Sequence, residues 1–252
     1  MALSAEAAAA RARAWHHAVH ETVCDVLEPW AHGTVARATR YPCYFDFNVV
    51  RVEEQPAMDV RGLAGFADTA LAGVAHRRLD FELPLLAEQL REDFIAMGWR
   101  ATGLLWMRQE RATPDGPTVP VEEVPYGAVD ALRVAWHRED FPDPDPAGFH
   151  AQAREVAQLR GARVLAIHEH GAPVAFAQLE RDRAAAEITQ VYVDPAHRGR
   201  GLGAAIVRAA IAHASEVEDL WICADAEDWP QRLYMRLGFK AVWKTIEFLR
   251  LP

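Results

Sequence analysis

Three glycines and two arginines in six residues, Arg198-Gly-Arg-Gly201-Leu-Gly203, stand between a strand-forming run and an apolar helix pattern. That arrangement could hold a pyrophosphate. The first N–H groups of a helix have no partner within it, and the helix dipole favours negative charge at that end. Glycines let the backbone approach an anion closely and take up turns closed to residues with a Cβ. Arg198 and Arg200 would add charge. A dinucleotide-binding turn has the pattern G-x-G-x-x-G directly after its strand, with an acidic residue about 20 positions on. Here Gly199, Gly201 and Gly203 alternate, and Val-Asp-Pro-Ala-His separates them from the strand. A Walker loop needs a lysine, which this segment lacks. A turn serving no ligand is the weaker reading, because each glycine at a helix start costs roughly 1 kcal/mol.

The elements that would position this loop follow from hydrophobic period. Strand 187–193 precedes it and helix 202–213 follows, then strand 220–224, helix 229–237 and strand 241–249. Upstream in the second half lie helices 128–138 and 149–159. Strands 164–168 and 173–179 flank His-Glu-His-Gly-Ala, which reads as a hairpin turn. In the first half, alanine and the spacing of Trp15, Val19, Val23, Val26 and Leu27 predict one helix over 2–31. Strand 44–52, helix 63–74, strand 76–83, proline-started helix 84–97 and strand 100–109 follow. Residues 112–120, with three prolines and one glycine, are the linker candidate.

The two halves read as a diverged repeat. Phe94-Ile-Ala-Met-Gly98-Trp99 matches Tyr234-Met-Arg-Leu-Gly238-Phe239, each closing a helix before an apolar strand. The expected boundaries are 1–118 and 119–252. Where the pyrophosphate loop should lie, the first half has Glu53, Glu54 and Asp59, which would repel an anion, and Phe94 has no proton to give.

Val191-Tyr-Val-Asp-Pro-Ala-His-Arg198-Gly-Arg-Gly201-Leu-Gly203 resembles motif A of the GNAT acyltransferase superfamily, and Leu233-Tyr234-Met-Arg-Leu-Gly238-Phe239 resembles its motif B. The resemblance implies an α/β fold of two GNAT-like domains, each a mixed, mainly antiparallel sheet flanked by helices. The first would be degenerate and the second an acetyl-CoA-dependent N-acetyltransferase. By the same resemblance, the backbone of Val191, Tyr192 and Val193 would take the pantetheine arm. The amides of Arg198, Gly199, Arg200, Gly201, Leu202, Gly203 and Ala204 would hold the pyrophosphate. An amine must lose a proton before it attacks a thioester. Glu187 stands where some members place that base, and strand alternation puts it on the face of Val191 and Val193. Tyr234 matches the usual acid for the departing thiolate. The family's asparagine seven residues before that tyrosine is Glu227 here, with Asp225 as a substitute or alternative base. The alternative to an enzyme is a non-catalytic acyl-CoA-binding module that engages a protein partner.

The remaining features bound this reading. The 252 residues suffice for two compact domains, and 51% hydrophobic content argues against disorder. A net charge of −9 with no long basic run disfavours nucleic acid as a partner. No apolar run reaches a membrane-spanning length. Cys24, Cys43 and Cys223 form no CxxC pair, and the N-terminus lacks a secretory pattern, so a cytoplasmic protein is expected. Only Lys240 and Lys244 among 27 basic residues are lysine, a usage that fits a high-GC bacterial genome. The expected acceptor is a small-molecule or peptide amine, for a monomer or homodimer. Glu139, Asp140, Asp143 and Asp145 lie where the family's acceptor site falls, though a solvated acidic loop explains them better. His16, His17 and His20 read as exposed helix residues rather than metal ligands, and no metal is expected. His168 and His170 read as solvent-facing turn residues. The aromatic run Tyr41 to Asn48 fits either a substrate cleft or core packing.

Overall fold

The computed structural model describes residues 3–110, 116–140, 146–182 and 184–251. In chain order these form α1 (Ala5–Val23), β1 (Val26–Trp30), β2 (Gly33–Arg37), β3 (Asn48–Val52), α2 (Val60–Ala70), β4 (Arg77–Phe81), α3 (Pro84–Ala96) and β5 (Arg100–Gln109). Then come β6 (Glu122–Val124), α4 (Asp130–Asp140), α5 (Pro146–Leu159), β7 (Arg163–Glu169), β8 (Ala172–Asp182) and β9 (Ala185–Val193). The last are α6 (Leu202–His213), β10 (Asp219–Asp225), α7 (Pro230–Arg236) and β11 (Phe239–Arg250). Asp143, Asp145 and residues 112–115 of the expected linker fall outside the described residues, as does the side chain of Asp140. Contacts group the chain into two units that interleave in sequence: Met1–Trp106 with Ala224–Asp228 and Ala241–Pro252, and Met107–Cys223 with Trp229–Lys240.

In the first unit β1, β2 and β3 form an antiparallel meander, β3 pairs in parallel with β4, and β4 pairs antiparallel with β11. The expected helix over 2–31 is corrected: α1 ends at Val23, and Cys24 turns into extended backbone that feeds the β1–β2 hairpin. Pro29 is tolerated because β1 is an outer strand. The expected strand 44–52 is shortened, because Phe45–Phe47 is a turn of 3-10 helix before β3. There Asn48 ties the segment down by donating to the carbonyls of Tyr41 (2.9 Å) and Tyr44 (3.1 Å). Tyr41 and Phe47 are buried and pack within their own unit, while Tyr44 and Phe45 are half-buried.

One face of this sheet is apolar. Val50, Val52, Leu79, Phe81, Ile246 and Phe248 pack there against α2 and α3. Of the alternate residues, on the face towards α1, Arg51, Arg78, Asp80 and Glu247 are charged. Arg78 meets Asp80 and Glu247, each at 2.8 Å, and also Asp46. The histidines of α1 lie over this face, which corrects their reading as exposed. His20 is 2% exposed; its Nε2–H donates to the Asp46 carbonyl (3.0 Å), and its Nδ1 accepts from Arg51 (3.3 Å). His16 packs edge-on to Trp106 at 5.1 Å. Burial, reinforced by Arg51 and Arg78, pushes the His20 pKa well below its usual value.

Fully buried His76 gives a testable consequence. Its Nε2–H donates to the Asn48 carbonyl (2.9 Å), while Nδ1 is buried without a partner among the described residues. Burial lowers its pKa to about 4. An unfolded histidine titrates near 6.5, so between those values the unfolded chain binds more protons. The His76 contribution is therefore complete above pH 6.5 and is lost as pH falls towards 4. From this residue alone, unfolding free energy is expected to be roughly 2 kcal/mol lower at pH 5 than at pH 7. Urea titrations check this, and His76→Gln should flatten the dependence. An unchanged pH slope in that variant would contradict the account.

In the second unit β6, β7, β8 and β9 pair antiparallel in turn, and β9 pairs in parallel with β10. β6 is three residues long, too short to show alternation, and was not expected. His170 (φ 51°) and Gly171 (φ 80°) make the expected tight β7–β8 turn. His168 is not simply solvent-facing: its Nδ1 is buried and lies 3.8 Å from Glu122. Each unit is thus a mixed, mainly antiparallel sheet with helices on its faces, which bears out the expected fold class. No described helix is long and apolar enough to cross a membrane.

Candidate cofactor and acyl-transfer site

The loop after β9 is built from local bonds. Asp194 accepts from the Ala196 amide (2.9 Å) and starts a turn of 3-10 helix, Pro195–His197. Gly199 (φ 78°) and Gly201 (φ 80°) are left-handed, and Gly201 is the N-cap of α6. Among the described residues no side chain caps this helix. By contrast, Ser4 caps α1, and Asp59 caps α2 by accepting from Gly62 (2.8 Å). The first intrahelical bond of α6 runs from Ala205 to the Gly201 carbonyl (3.1 Å). The amides of Leu202, Gly203 and Ala204 precede it, and together they can receive an anion. Buried Leu202 anchors this end in the core.

The two arginines of the loop are held by carboxylates from other elements. Arg198 donates from Nη2 to Glu139 at the end of α4 (2.7 Å) and from Nε to the Val193 carbonyl (3.0 Å). Its guanidinium lies 5.5 Å from the centre of the Tyr192 ring. Arg200 makes a two-pronged pair with Glu169 at the end of β7, at 2.6 and 2.9 Å. The Tyr192 hydroxyl donates to the other oxygen of Glu139 (2.6 Å). Burial and that bond raise the Tyr192 pKa, while Tyr192 and Arg198 lower that of Glu139. Sequence gave no signal for these partners, which stand 59 and 31 residues from their arginines.

β9 and β10 pair from Ala185↔Asp219 to Ile188↔Ile222, and no pair follows among the described residues. The β9 edge from Thr189 to Val193 is therefore unpaired on that side. Against β8, β9 carries a bulge: Phe176 faces Tyr192, but Gln178 faces Thr189. Gln190 takes up the extra residue at φ 52°. The bulge corrects the expected alternation. Glu187, Thr189 and Tyr192 share one face, and Val193 points to the other. Glu187 is only 7% exposed. It sits opposite Glu180, and Arg160 bridges them at 2.7 Å to Glu180 and 3.6 Å to Glu187. Like charges facing across a strand pair repel, and the shared guanidinium offsets this.

Tyr234 lies on α7 and is 6% exposed, with its ring edge-on to Phe239 at 6.3 Å. Its neighbour Leu233 lies against the first turn of α6: a Cβ on Gly203 would sit 3.6 Å from Leu233 Cδ2 and 3.8 Å from Val193 Cγ2. Asp225 accepts from the Glu227 amide (2.7 Å), closing the turn after β10.

The first unit holds two further features that the sequence singled out, Phe94 and an acidic cluster. Phe94 is fully buried, stacked on Phe248 at 4.1 Å. Donor atoms of His17, Glu53 and Glu82 gather within 4.8 Å, a spacing a metal could use. Arg13 pairs with Glu82 (3.0 Å) and Arg51 with Glu53 (3.1 Å), so both carboxylate charges are already balanced. An ion-pair network accounts for this cluster.

An open strand edge, a bulge and a glycine-started helix thus lie side by side at the end of β9. Residues 129–239 match the model of the acetyltransferase (GNAT) family. An uncharacterized N-acetyltransferase of Methanocaldococcus jannaschii is 33% identical over 82 residues, covering 28% of this chain and 36% of that protein. A conserved protein of unknown function from Staphylococcus epidermidis has a similar structure, with TM-score 0.69 and 16% identity over 90% of this chain and 94% of its own. A GCN5-related N-acetyltransferase from Kribbella flavida gives TM-score 0.57 and 17% identity, over 96% of this chain and 95% of its own. At these identities the two structures establish the fold over nearly the whole chain.

Proposed function

We propose that this protein is an acyl-CoA-dependent N-acetyltransferase that moves acetyl from acetyl-CoA to a primary amine by direct attack. The uncapped N-terminus of α6, next to the unpaired β9 edge, carries the reading. The edge offers backbone partners to a pantetheine arm as an added strand would. The amides from Gly199 to Ala204 suit the pyrophosphate. Arg198 takes the Val193 carbonyl, so pantetheine bonding falls on the preceding residues. The amine nitrogen bonds the acyl carbon, and the C–S bond breaks. Glu187, one residue before the strands part, accepts the amine proton, and Tyr234 protonates the thiolate.

The first half is a diverged copy, residues 1–118 by sequence. The repeated order of meander, crossover helix and parallel partner supports this: β3–α2–β4 parallels β9–α6–β10. Its helix α2 carries its own anion in Asp59, where α6 is open.

A panel of amines with acetyl-CoA, read by free-thiol release, tests the activity. Turnover on at least one amine is expected. Tight CoA binding with no thiol release on any amine would replace the enzyme with an acyl-CoA-binding module.

A further inference from the structure

We propose that Glu139 is a positioning residue that couples the acceptor-side helix α4 to the cofactor loop. The inference rests on the cofactor reading above and goes beyond it. One carboxylate joins three parts of the site. Its Oε1 accepts from the Tyr192 hydroxyl at 2.6 Å, and its Oε2 accepts from Arg198 at 2.7 Å. Arg198 in turn holds the Val193 carbonyl at 3.0 Å. The last turn of α4 is thereby fastened to β9 at the point where the loop begins.

The direction of Arg198 gives this bracket its purpose. Its guanidinium reaches back to Val193 and Glu139 and lies over the Tyr192 ring. The charge therefore serves the frame of the loop, and the phosphate is left to the backbone amides. Arg200 follows the same pattern with Glu169. A pair this exposed adds little to global stability. Its effect is local: whatever immobilises the loop also immobilises the end of α4 and the Tyr192 side chain. Both lie on the sheet face that carries Glu187. Cofactor binding would then order the last turn of α4.

Hydrogen exchange with and without CoA, read separately for the loop and for the last turn of α4, tests the coupling without needing an acceptor. In the wild type CoA should slow exchange in both. In Glu139→Ala the loop should still respond, and α4 should not. Glu139→Gln retains an oxygen for Tyr192 and should restore part of the response. Calorimetry should show CoA affinity in Glu139→Ala changed by less than about threefold. With an amine substrate in hand, its KM should rise about tenfold, the loss of one charge-assisted hydrogen bond, with kcat changed less. An α4 that responds normally in Glu139→Ala overturns the coupling, as does a wild-type α4 that ignores CoA while the loop responds. If CoA protects neither segment in the wild type, the cofactor reading itself fails and this proposal with it.

Discussion

Gly201→Val is expected to lower CoA affinity by about a hundredfold or more, while Gly203→Ala leaves it unchanged. Gly201 stands at φ 80° with nothing within 4 Å of the place its Cβ would occupy. Space is therefore not the obstacle; conformation is. A residue with a Cβ costs roughly 1–2 kcal/mol in the left-handed region, and a β-branched one at least that. Relaxing the strain turns the amides of Leu202 and Gly203 away from the ligand, and each bond to a charged group is worth about 1.5–3 kcal/mol. At 1.4 kcal/mol per factor of ten, losing one or two such bonds gives the stated drop. Gly203 lies inside the first turn of α6, where an added methyl would make ordinary contacts at 3.6 and 3.8 Å. There alanine should raise stability by up to about 1 kcal/mol through helix propensity. Calorimetric CoA titration and urea unfolding of both variants check the contrast. Wild-type affinity in Gly201→Val would remove the loop assignment.

This contrast marks how far the sequence could be read. The glycine run, α6 and β5 were legible because their signals are local: spacing within a few residues fixes the turn, the helix face or the strand. The left-handed bulge at Gln190 was not, because no glycine marks it, and it reversed the side on which Val193 lies relative to Glu187. The segment 2–31 read as one helix because alanine dominates its propensity, while the β1–β2 hairpin depends on pairing with β3. Arg78-Leu-Asp80-Phe-Glu82 alternates as a half-exposed strand would. The structure places α1 over its polar side, so the charges are buried in pairs and the α1 histidines with them. Glu139 and Glu169 were legible as acidic residues only. Their pairing with Arg198 and Arg200 depends on how α4 and β7 return to the loop, which spacing along the chain does not encode.

Tyr234→Phe separates chemistry from binding more cleanly than any substitution in the loop. The ring is buried and packs edge-on to Phe239, a contact phenylalanine preserves. The substitution removes only the hydroxyl. If that hydroxyl protonates the departing thiolate, kcat should fall about a hundredfold, the low end of what a positioned acid contributes. CoA affinity should not move, because the bond to sulfur matters only as charge develops there. A loss in kcat with KM unchanged is the mark of an interaction made in the transition state. Leu233, the preceding residue, lies against the turn of α6 that offers its amides, so α7 packs beside the loop's helical end. Free-thiol release on the best amine found, measured against CoA calorimetry on the same variant, gives both quantities. An unchanged kcat would hand the proton to water and reduce Tyr234 to a packing residue. A kcat loss accompanied by weakened CoA binding would place its hydroxyl in the ground-state complex instead.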